Sequence, residues 1–377
     1  MRVLIDYRPA LSERSGVGEY AHRLVCALLA RFPPRNTDRP LDLTLFSSSW
    51  KDRLTPLSDL AGASIVDCRV PVSVLNFAWH RLDWPKAETL TGRAFDVTHS
   101  LHPLLMPSHD SARIVTIHDL NFLNYPQGTR AEIRRDYPVF VRAHAHRADR
   151  ILTISDYTAR EIERRLGVPR DRIAVCHPGA PAWPARTASP DRGYVLFLGT
   201  LEPRKNIGGL LDAYERLAAR RRDLPQLLLA GRATDAARGW LERLTKAPLE
   251  GLVKHIGYVQ PDDRRSLYEG ARLLVQPSFD EGFGLPVLEA MTVGVPVVAS
   301  ERGAIPEVLG DAGLLIDPDE PDALAGAIER MIDDGALAAA SAAKGADRAR
   351  RFTWDRAAGI AYDAYQQAIE HRQCASA

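Results

Sequence analysis

Phe279-Asp-Glu-Gly-Phe-Gly-Leu-Pro-Val-Leu-Glu-Ala-Met291 is the stretch on which the reading of this 377-residue chain turns. It follows an apolar run at 273–276 and opens a helical pattern. Pro286 suits a first helical turn, where its missing N–H would be unpaired anyway. Gly282 and Gly284 let backbone amides approach a ligand closely. The amino end of such a helix offers N–H groups and a partial positive charge to an anion. Glu281 stands in the loop and Glu289 about one turn into the helix, both toward the carboxyl edge where open α/β sheets bind ligands. Carboxylates accept from sugar hydroxyls, so an anion site between two of them describes sugar, diphosphate and ribose: a nucleotide sugar. The plainer reading is a glycine turn and a capped helix with surface acids. Loop, proline and both acids falling together favour the ligand.

Outward from this stretch, short apolar runs alternate with amphipathic ones, the pattern of βαβ units around a parallel sheet. Strands are expected at 3–5, 41–46, 64–66, 97–99, 113–117, 150–154 and 173–176. In the second half they are expected at 194–198, 226–230, 253–256, 273–276, 296–299 and 314–316. Near-continuous Val, Ile and Leu mark strands buried on both faces. Helices are expected at 18–32, 132–148, 156–166, 207–221, 234–245 and 323–332. Residues 178–190 carry four prolines and continue neither a helix nor a central strand. The expectation is an α/β protein of two Rossmann-like domains with parallel sheets, 1–180 and 190–353, joined by a linker.

Composition narrows the function classes. Hydrophobic residues make up 45% and charged residues 26%, which excludes disordered and collagen-like chains. Lys plus Arg is 49 and Asp plus Glu 48, so the net charge of +1 speaks against a nucleic-acid partner. The charge is uneven: residues 1–190 hold 26 Lys/Arg against 20 Asp/Glu, the remainder 23 against 28. That asymmetry reads either as solvated surface or as a basic first domain facing an anionic acceptor or membrane. In the basic helix 130–150, Arg130, Arg134, Arg135, Arg142, Arg147 and Arg150 punctuate apolar Ile133, Tyr137, Phe140 and Val141. It is either a solvated face or a peripheral membrane contact. Cys26, Cys68, Cys176 and Cys374 form no close pair, so free thiols in a reducing cytoplasm are expected. There is no signal-peptide pattern and no run of about 18 apolar residues. The expected location is cytoplasmic, at most peripheral at the inner face of the membrane.

Three further motifs carry chemistry. Phe197-Leu-Gly-Thr-Leu-Glu-Pro-Arg-Lys-Asn206 follows the first strand of the second domain and sets Arg204 and Lys205 at its ligand edge. Two fixed cations stabilise charge developing on a departing diphosphate, so no metal is required. Ser15-Gly16-Val17-Gly18 reads as a mobile loop closing over phosphates or as a helix-capping turn. As Gly16-x-Gly18-x-x-Ala21 it also matches a dinucleotide fingerprint, although that fingerprint follows its strand directly. Thr116-Ile-His118-Asp119 ends a strand and sets His118 toward a cleft, or forms a structural His–Asp pair. Gly257-Tyr258-Val259-Gln260 also follows a strand, and its backbone at Tyr258 and Val259 could hold a base. His99 and His102 read either as acceptor-side or as loop residues.

These motifs, in this order, resemble the retaining glycosyltransferases of family 4. The resemblance rests on Glu281-x7-Glu289 with Gly-Phe-Gly-Leu-Pro between, and covers most of the chain. It implies the GT-B fold, two facing Rossmann-like domains with an interdomain cleft, and a final helix, 354–377, packing back on the first domain. It implies that Glu281 holds donor-sugar hydroxyls, that Glu289 holds the ribose, and that the N–H groups of Phe283, Gly284 and Leu285 contact diphosphate and sugar. Arg204 and Lys205 would bind the diphosphate, Gly16 and Gly18 would approach the donor phosphate or the acceptor, and His118 would contact the donor sugar. Many members carry an Arg where this chain has Thr200, which leaves the phosphate contact at Thr200 open. Glu307 would support the ribose side. The two motifs of the second domain look most like bacterial mannosyltransferases of polysaccharide or O-antigen assembly. That implies GDP-mannose as donor, a saccharide acceptor, often lipid-linked, and no cofactor or metal. UDP-glucose or another nucleotide sugar is the alternative donor. A nucleotide-sugar epimerase or phosphorylase, an NAD-dependent oxidoreductase and a non-catalytic nucleotide-sugar binding protein are the other readings.

Overall fold

Strands form where Val, Ile and Leu run together, and they assemble into two parallel sheets. The computed structural model describes residues 1–11, 16–34, 38–55, 58–125, 131–190 and 192–376. Clustering of contacts divides the chain into Met1–Gly179 with Thr353–Ala377, and Ala180–Phe352. The first unit holds β1 (Arg2–Asp6), β2 (Asp42–Ser48), β3 (Ser64–Cys68), β4 (Val97–Ser100), β5 (Ala112–Ile117), β6 (Arg150–Thr153) and β7 (Ile173–Val175). Their order is β3-β2-β1-β4-β5-β6-β7. The second holds β8 (Tyr194–Leu198), β9 (Leu227–Ala230), β10 (Val253–Gly257), β11 (Ala271–Gln276), β12 (Val297–Ser300) and β13 (Leu314–Ile316), in the order β10-β9-β8-β11-β12-β13. Each order reverses once, between β1 and β4 and between β8 and β11. At such a switch point the loops leaving neighbouring strands part to opposite faces and open a crevice at the carboxyl ends.

Helices cover both faces. In the second unit, Ile207, Leu210, Leu211, Tyr214 and Leu217 recur at helical spacing and pack on Val195, Phe197, Leu229 and Val275, all fully buried. Leu324, Ile328 and Met331 of the helix Pro321–Asp333 complete that layer. In the first unit, Val141, Ala145, Ile162 and Leu166 pack on Val115, Ile117 and Ile151. The helix Trp354–Ser376 also belongs to this unit, burying Ala357, Ala361, Tyr362, Tyr365 and Ala368. Its Tyr365 hydroxyl meets His99 Nδ1 at 2.8 Å, and Tyr362 stacks on Phe32 at 4.2 Å between ring centres.

Three expectations change on inspection. The proline stretch 178–190 is no free linker: Arg186 donates its N–H to the Val293 carbonyl at 2.9 Å and its guanidinium to the Ala271 carbonyl at 2.5 Å. Those bonds lay it along the second unit. The helix at 234–245 shrinks to a 3-10 turn, Asp235–Ala237, and a short helix, Arg238–Arg243. Thr245 then turns its hydroxyl back to the Glu242 carbonyl. The helix at 132–148 runs Ala131–Arg147, with Arg130 outside the described residues. Its apolar side is not presented outward as a whole: Val141 and Ala145 are core, and Tyr137 stacks on His102 at 6.4 Å. Three of its arginines are engaged inside the unit, Arg135 with Asp136, Arg142 with the Arg165 carbonyl and Arg147 with Asp83.

Candidate active site

The switch point between β8 and β11 brings together the two loops singled out in the sequence. β8 runs into Gly199 and a 3-10 turn, Pro203–Lys205, that ends at Asn206 in the left-handed region (φ 55°). Asn206 caps the next helix by accepting from Gly209 N–H at 3.1 Å, and donates to the Pro318 carbonyl at 2.7 Å. The loop after β11 is tied to this turn by the Phe279 N–H, which donates to the Arg204 carbonyl at 2.7 Å.

Glu281 sits where the loops meet, 6% exposed. Its Oε1 accepts from Lys205 Nζ, from Ser278 Oγ at 2.9 Å and from Gln276 Nε2 at 3.1 Å. Its Oε2 faces Arg204 Nη1 at 3.3 Å. Burial alone would raise this carboxyl; the Lys205 and Arg204 charges and the bonds from Lys205 and Ser278 outweigh burial and hold it at about 2. Burial and the adjacent Arg204 lower the Lys205 ammonium, with Glu281 opposing them. Arg204 is further oriented by Glu202 at 2.7 Å and by the Asp280 carbonyl at 3.1 Å. The result is a clasp of two cations on one ionised carboxylate.

The helix Leu285–Val293 leaves this loop with Gly284 at φ 104° and Pro286 in its first turn, and no side chain caps it. Leu285 is its first residue. Phe283 is buried and meets the edge of Phe352 at 5.7 Å. Glu289 is 7% exposed and each of its oxygens is held: Oε1 by Arg264 Nη1 at 2.8 Å, Oε2 by the Tyr268 hydroxyl at 2.8 Å. Two carboxylates therefore flank an uncapped helix start, one pinned by cations and one by a cation and a phenol. Such a site can take an anion with hydroxyls on either side of it.

The remaining residues belong to other segments of this unit or to the first unit. Thr200 is exposed, one residue past Gly199. Tyr258 and Val259 are half-buried after β10, with the Arg232 guanidinium 5.2 Å from the Tyr258 ring. Glu307 lies in the helix Ile305–Leu309, and its carbonyl accepts from Arg348. His118 belongs to the first unit, at the end of β5. It is 8% exposed, its Nε2 lies 3.1 Å from the Leu101 carbonyl, and Tyr20 meets the ring edge-on at 5.0 Å. A carbonyl can only accept, so Nε2 carries the proton and Nδ1 keeps its lone pair. Burial lowers this imidazole to about 4, so it is neutral at pH 7. Ser15 falls outside the described residues, and the helix Val17–Arg31 already includes Gly18, buried in its first turn. Only Gly16, at φ 55°, stays outside that helix. β1 ends at Asp6 and a 3-10 turn, Arg8–Ala10, intervenes before the glycines, so the dinucleotide reading of 16–21 fails.

Several residues escaped the sequence reading. Gln276 and Ser278 were legible in part, as polar groups closing an otherwise apolar strand. Tyr268 and Arg264 carried no signal, because nothing local announces that their helix faces Glu289. Gly303 stands in the segment 300–307 that resembles the family's stretch after the donor-site helix, but its role was not legible: at φ 68° it lies so close that an added Cβ would stand 2.7 Å from Glu281 N.

The chain matches the family model for glycosyl transferases group 1 over residues 181–348 and that for glycosyltransferase family 4 over residues 14–182. It is similar to the O-antigen chain mannosyltransferase B of Escherichia coli, 36% identical over 281 residues, 69% of this chain and 72% of that protein. It is also similar to a D-inositol 3-phosphate glycosyltransferase of Streptomyces bingchenggensis, 31% identical over 59% of this chain and 53% of that protein. Among solved structures, a sucrose-phosphate synthase from Thermosynechococcus elongatus matches 100% of this chain and 99% of its own, with a TM-score of 0.77 at 21% identity, which shows a common fold. These matches overturn the oxidoreductase alternative. Two doubly wound units, each matched by one of these two models, make the chain a GT-B protein of the family 4, group 1 glycosyltransferases.

Proposed function

We propose that this glycosyltransferase moves mannose from GDP-mannose, with retention at the sugar carbon, to a hydroxyl of a saccharide acceptor in polysaccharide or O-antigen assembly. The observation that carries the reading is the clasp of Arg204 and Lys205 on Glu281 beside the uncapped start of the helix Leu285–Val293. A diphosphate seated at that helix start lies beside both cations. When the bond from the sugar carbon to the phosphate oxygen breaks, its electron pair stays on the diphosphate, and fixed cations stabilise it there. Arg204 and Lys205 supply charge where a divalent ion would otherwise act, so transfer without metal belongs to the proposal. Glu281, held ionised, accepts hydroxyls of the sugar and takes up no proton near neutrality. Glu289, with one donor already on each oxygen, offers its remaining lone pairs to the ribose. Tyr258 and Val259 border the base side. Neutral His118 has Nδ1 as an acceptor for a sugar hydroxyl. The mannosyl and GDP assignments take their support from the mannosyltransferase relative. We also place the acceptor on a lipid carrier, with the protein working peripherally at the inner face of the membrane.

Thermal unfolding against GDP-mannose, UDP-glucose, and ADP- and dTDP-sugars, each with and without EDTA, tests the donor. A ligand at a hundred times its dissociation constant stabilises by about 2.7 kcal/mol. The expected result is a shift with GDP-mannose that survives EDTA and is lost in Lys205→Ala. A shift only with UDP-glucose replaces the donor; a shift that EDTA abolishes removes the metal-free clause. Failure to release GDP when a mannan-type acceptor is added leaves a binding protein in place of a transferase.

A further inference from the structure

Large apolar side chains left in solvent are not spread evenly. Nine are exposed among the described residues, and six of them, Trp50, Val74, Phe77, Leu82, Trp84 and Val139, belong to one region of the first unit. Val74 and Phe77 share a face of the helix Val72–Leu82 with Arg81, and Leu82 and Trp84 continue it past the helix end. Leu75 and Trp79 of the same helix point the other way and are buried, so the exposed set is a second apolar face that no described residue covers. The helix Ala131–Arg147 borders it: Arg81 lies 5.3 Å from the Phe140 ring, and Arg147 pairs with Asp83 at 3.1 Å. On that helix Val139 stands among the exposed Arg134, Arg135 and Arg142. Trp50, 73% exposed, lies two residues past Ser48, whose hydroxyl donates to the Val70 carbonyl just ahead of the first helix. Residues 69–86 and 131–147 together carry seven Lys/Arg against three Asp/Glu.

We propose that this face is laid against an anionic lipid surface. Tryptophan, phenylalanine and leucine side chains enter the headgroup region, and arginines around them meet lipid phosphates. A protein partner would bury apolar side chains but has no need of the surrounding positive charge. The proposal deepens the lipid-linked-acceptor reading and moves the contact from the helix Ala131–Arg147 alone to the helix Val72–Leu82. The latter supplies the apolar groups and the former most of the charge. It requires no particular donor.

The test is co-sedimentation of the full-length protein with vesicles of phosphatidylcholine, with and without phosphatidylglycerol. The wild type is expected to bind the phosphatidylglycerol vesicles, more weakly as salt rises. The triple variant Phe77→Ser/Leu82→Ser/Trp84→Ser is expected to lose about a hundredfold in partitioning with unchanged thermal unfolding, since all three side chains are exposed. Arg81→Ser/Arg134→Ser should lose the salt-sensitive part only. No vesicle binding overturns the proposal, as does equal binding to both vesicle types or wild-type binding by the triple variant. A dimer in sedimentation velocity that the triple variant dissolves, without vesicle binding, assigns the face to a second copy instead. Donor binding is read separately by thermal shift, so failure of the transferase reading leaves the vesicle result intact.

Discussion

At the residue scale, the clasp on Glu281 makes two opposed demands. Burying a carboxylate costs several kcal/mol, and only the neighbouring cations and donors offset it. The carboxyl lies at about 2, against an ordinary 4.5. A lowered carboxyl binds its proton less tightly folded than unfolded, so its contribution is fully present above pH 4.5 and fades as pH falls toward 2. The shift corresponds to about 3 kcal/mol. Glu281→Gln is therefore expected to unfold at lower urea at pH 7 and to approach the wild type as the medium is acidified. Urea midpoints from neutral to acid pH check this, and parallel profiles would contradict it. Burial also lowers His118 to about 4, so protonating it as pH falls below its ordinary 6.5 costs stability in a separate, higher window. Burial lowers His80, His99 and His144 in the same way, so His118→Asn should make that upper limb shallower without removing it, and leave the Glu281 limb in place. On the catalytic side, Lys205→Ala removes one fixed cation and is expected to lower kcat by about a hundredfold or more. Because the variant is also expected to bind donor poorly, single-turnover rates extrapolated to high donor measure it.

At the scale of elements, the positions that matter are those where one segment fixes another. The Ala304 N–H donates to the Glu281 carbonyl at 2.9 Å, and Gly303 beside it leaves no room for a methyl. Gly303→Ala would strain a left-handed turn and push the Glu281 backbone outward. A displacement of about 1 Å at a reacting centre costs about a hundredfold. That loss should appear in kcat with the far-UV spectrum unchanged. The helix Arg264–Glu269 acts on Glu289 in the same way. Tyr268→Phe removes one bond to a buried carboxylate, about 1.5 kcal/mol, and is expected to raise the donor KM about tenfold with kcat little changed. A 2′-deoxy nucleotide should bind wild type and variant alike if Glu289 serves the ribose. The inner strands were readable because they are buried on both faces and are written as Val, Ile and Leu, whereas the edge strands β3, β10 and β13 are only partly buried. The loop with Glu281 and the helix with Glu289 were readable for the same reason as the inner strands, since their glycines and proline stand directly after such a run. Gly335–Ala349 was not: its alanines pack almost without a period, and the helix is evident only from its place beside Leu285–Val293. Val72–Leu82 was missed because apolar groups on both of its sides blur the pattern that marks an amphipathic helix.

At the scale of the whole molecule, the chain passes between its two units at two points, near residue 180 and near residue 352. The first unit is therefore completed by the end of the chain. Cys176 Sγ reaches the Ala357 carbonyl at 3.3 Å, and a Cβ on Gly179 would fall 2.3 Å from Trp354 N, so the outgoing and returning segments lie in contact. Arg372 ties the far end of the last helix to the carbonyls of Asp110 and His109, each at 2.9 Å. The apolar face carrying Tyr362 and Tyr365 covers Phe32 and His99, which would otherwise meet water. The second unit has its own core and uses none of these residues. Ending the chain after Phe352 should therefore damage one unit and spare the other. Limited proteolysis of that truncated protein is expected to degrade residues 1–179 and leave a resistant fragment close to 180–352, while the intact chain resists in both halves. The fragment should keep a thermal shift with the nucleoside diphosphate, because the clasp, the uncapped helix start and Glu289 all lie within it. Loss of both halves together would show that the second unit depends on the first for its stability. Survival of both would mean that the last helix is dispensable, and that Tyr365 and Tyr362 only decorate a core that closes without them.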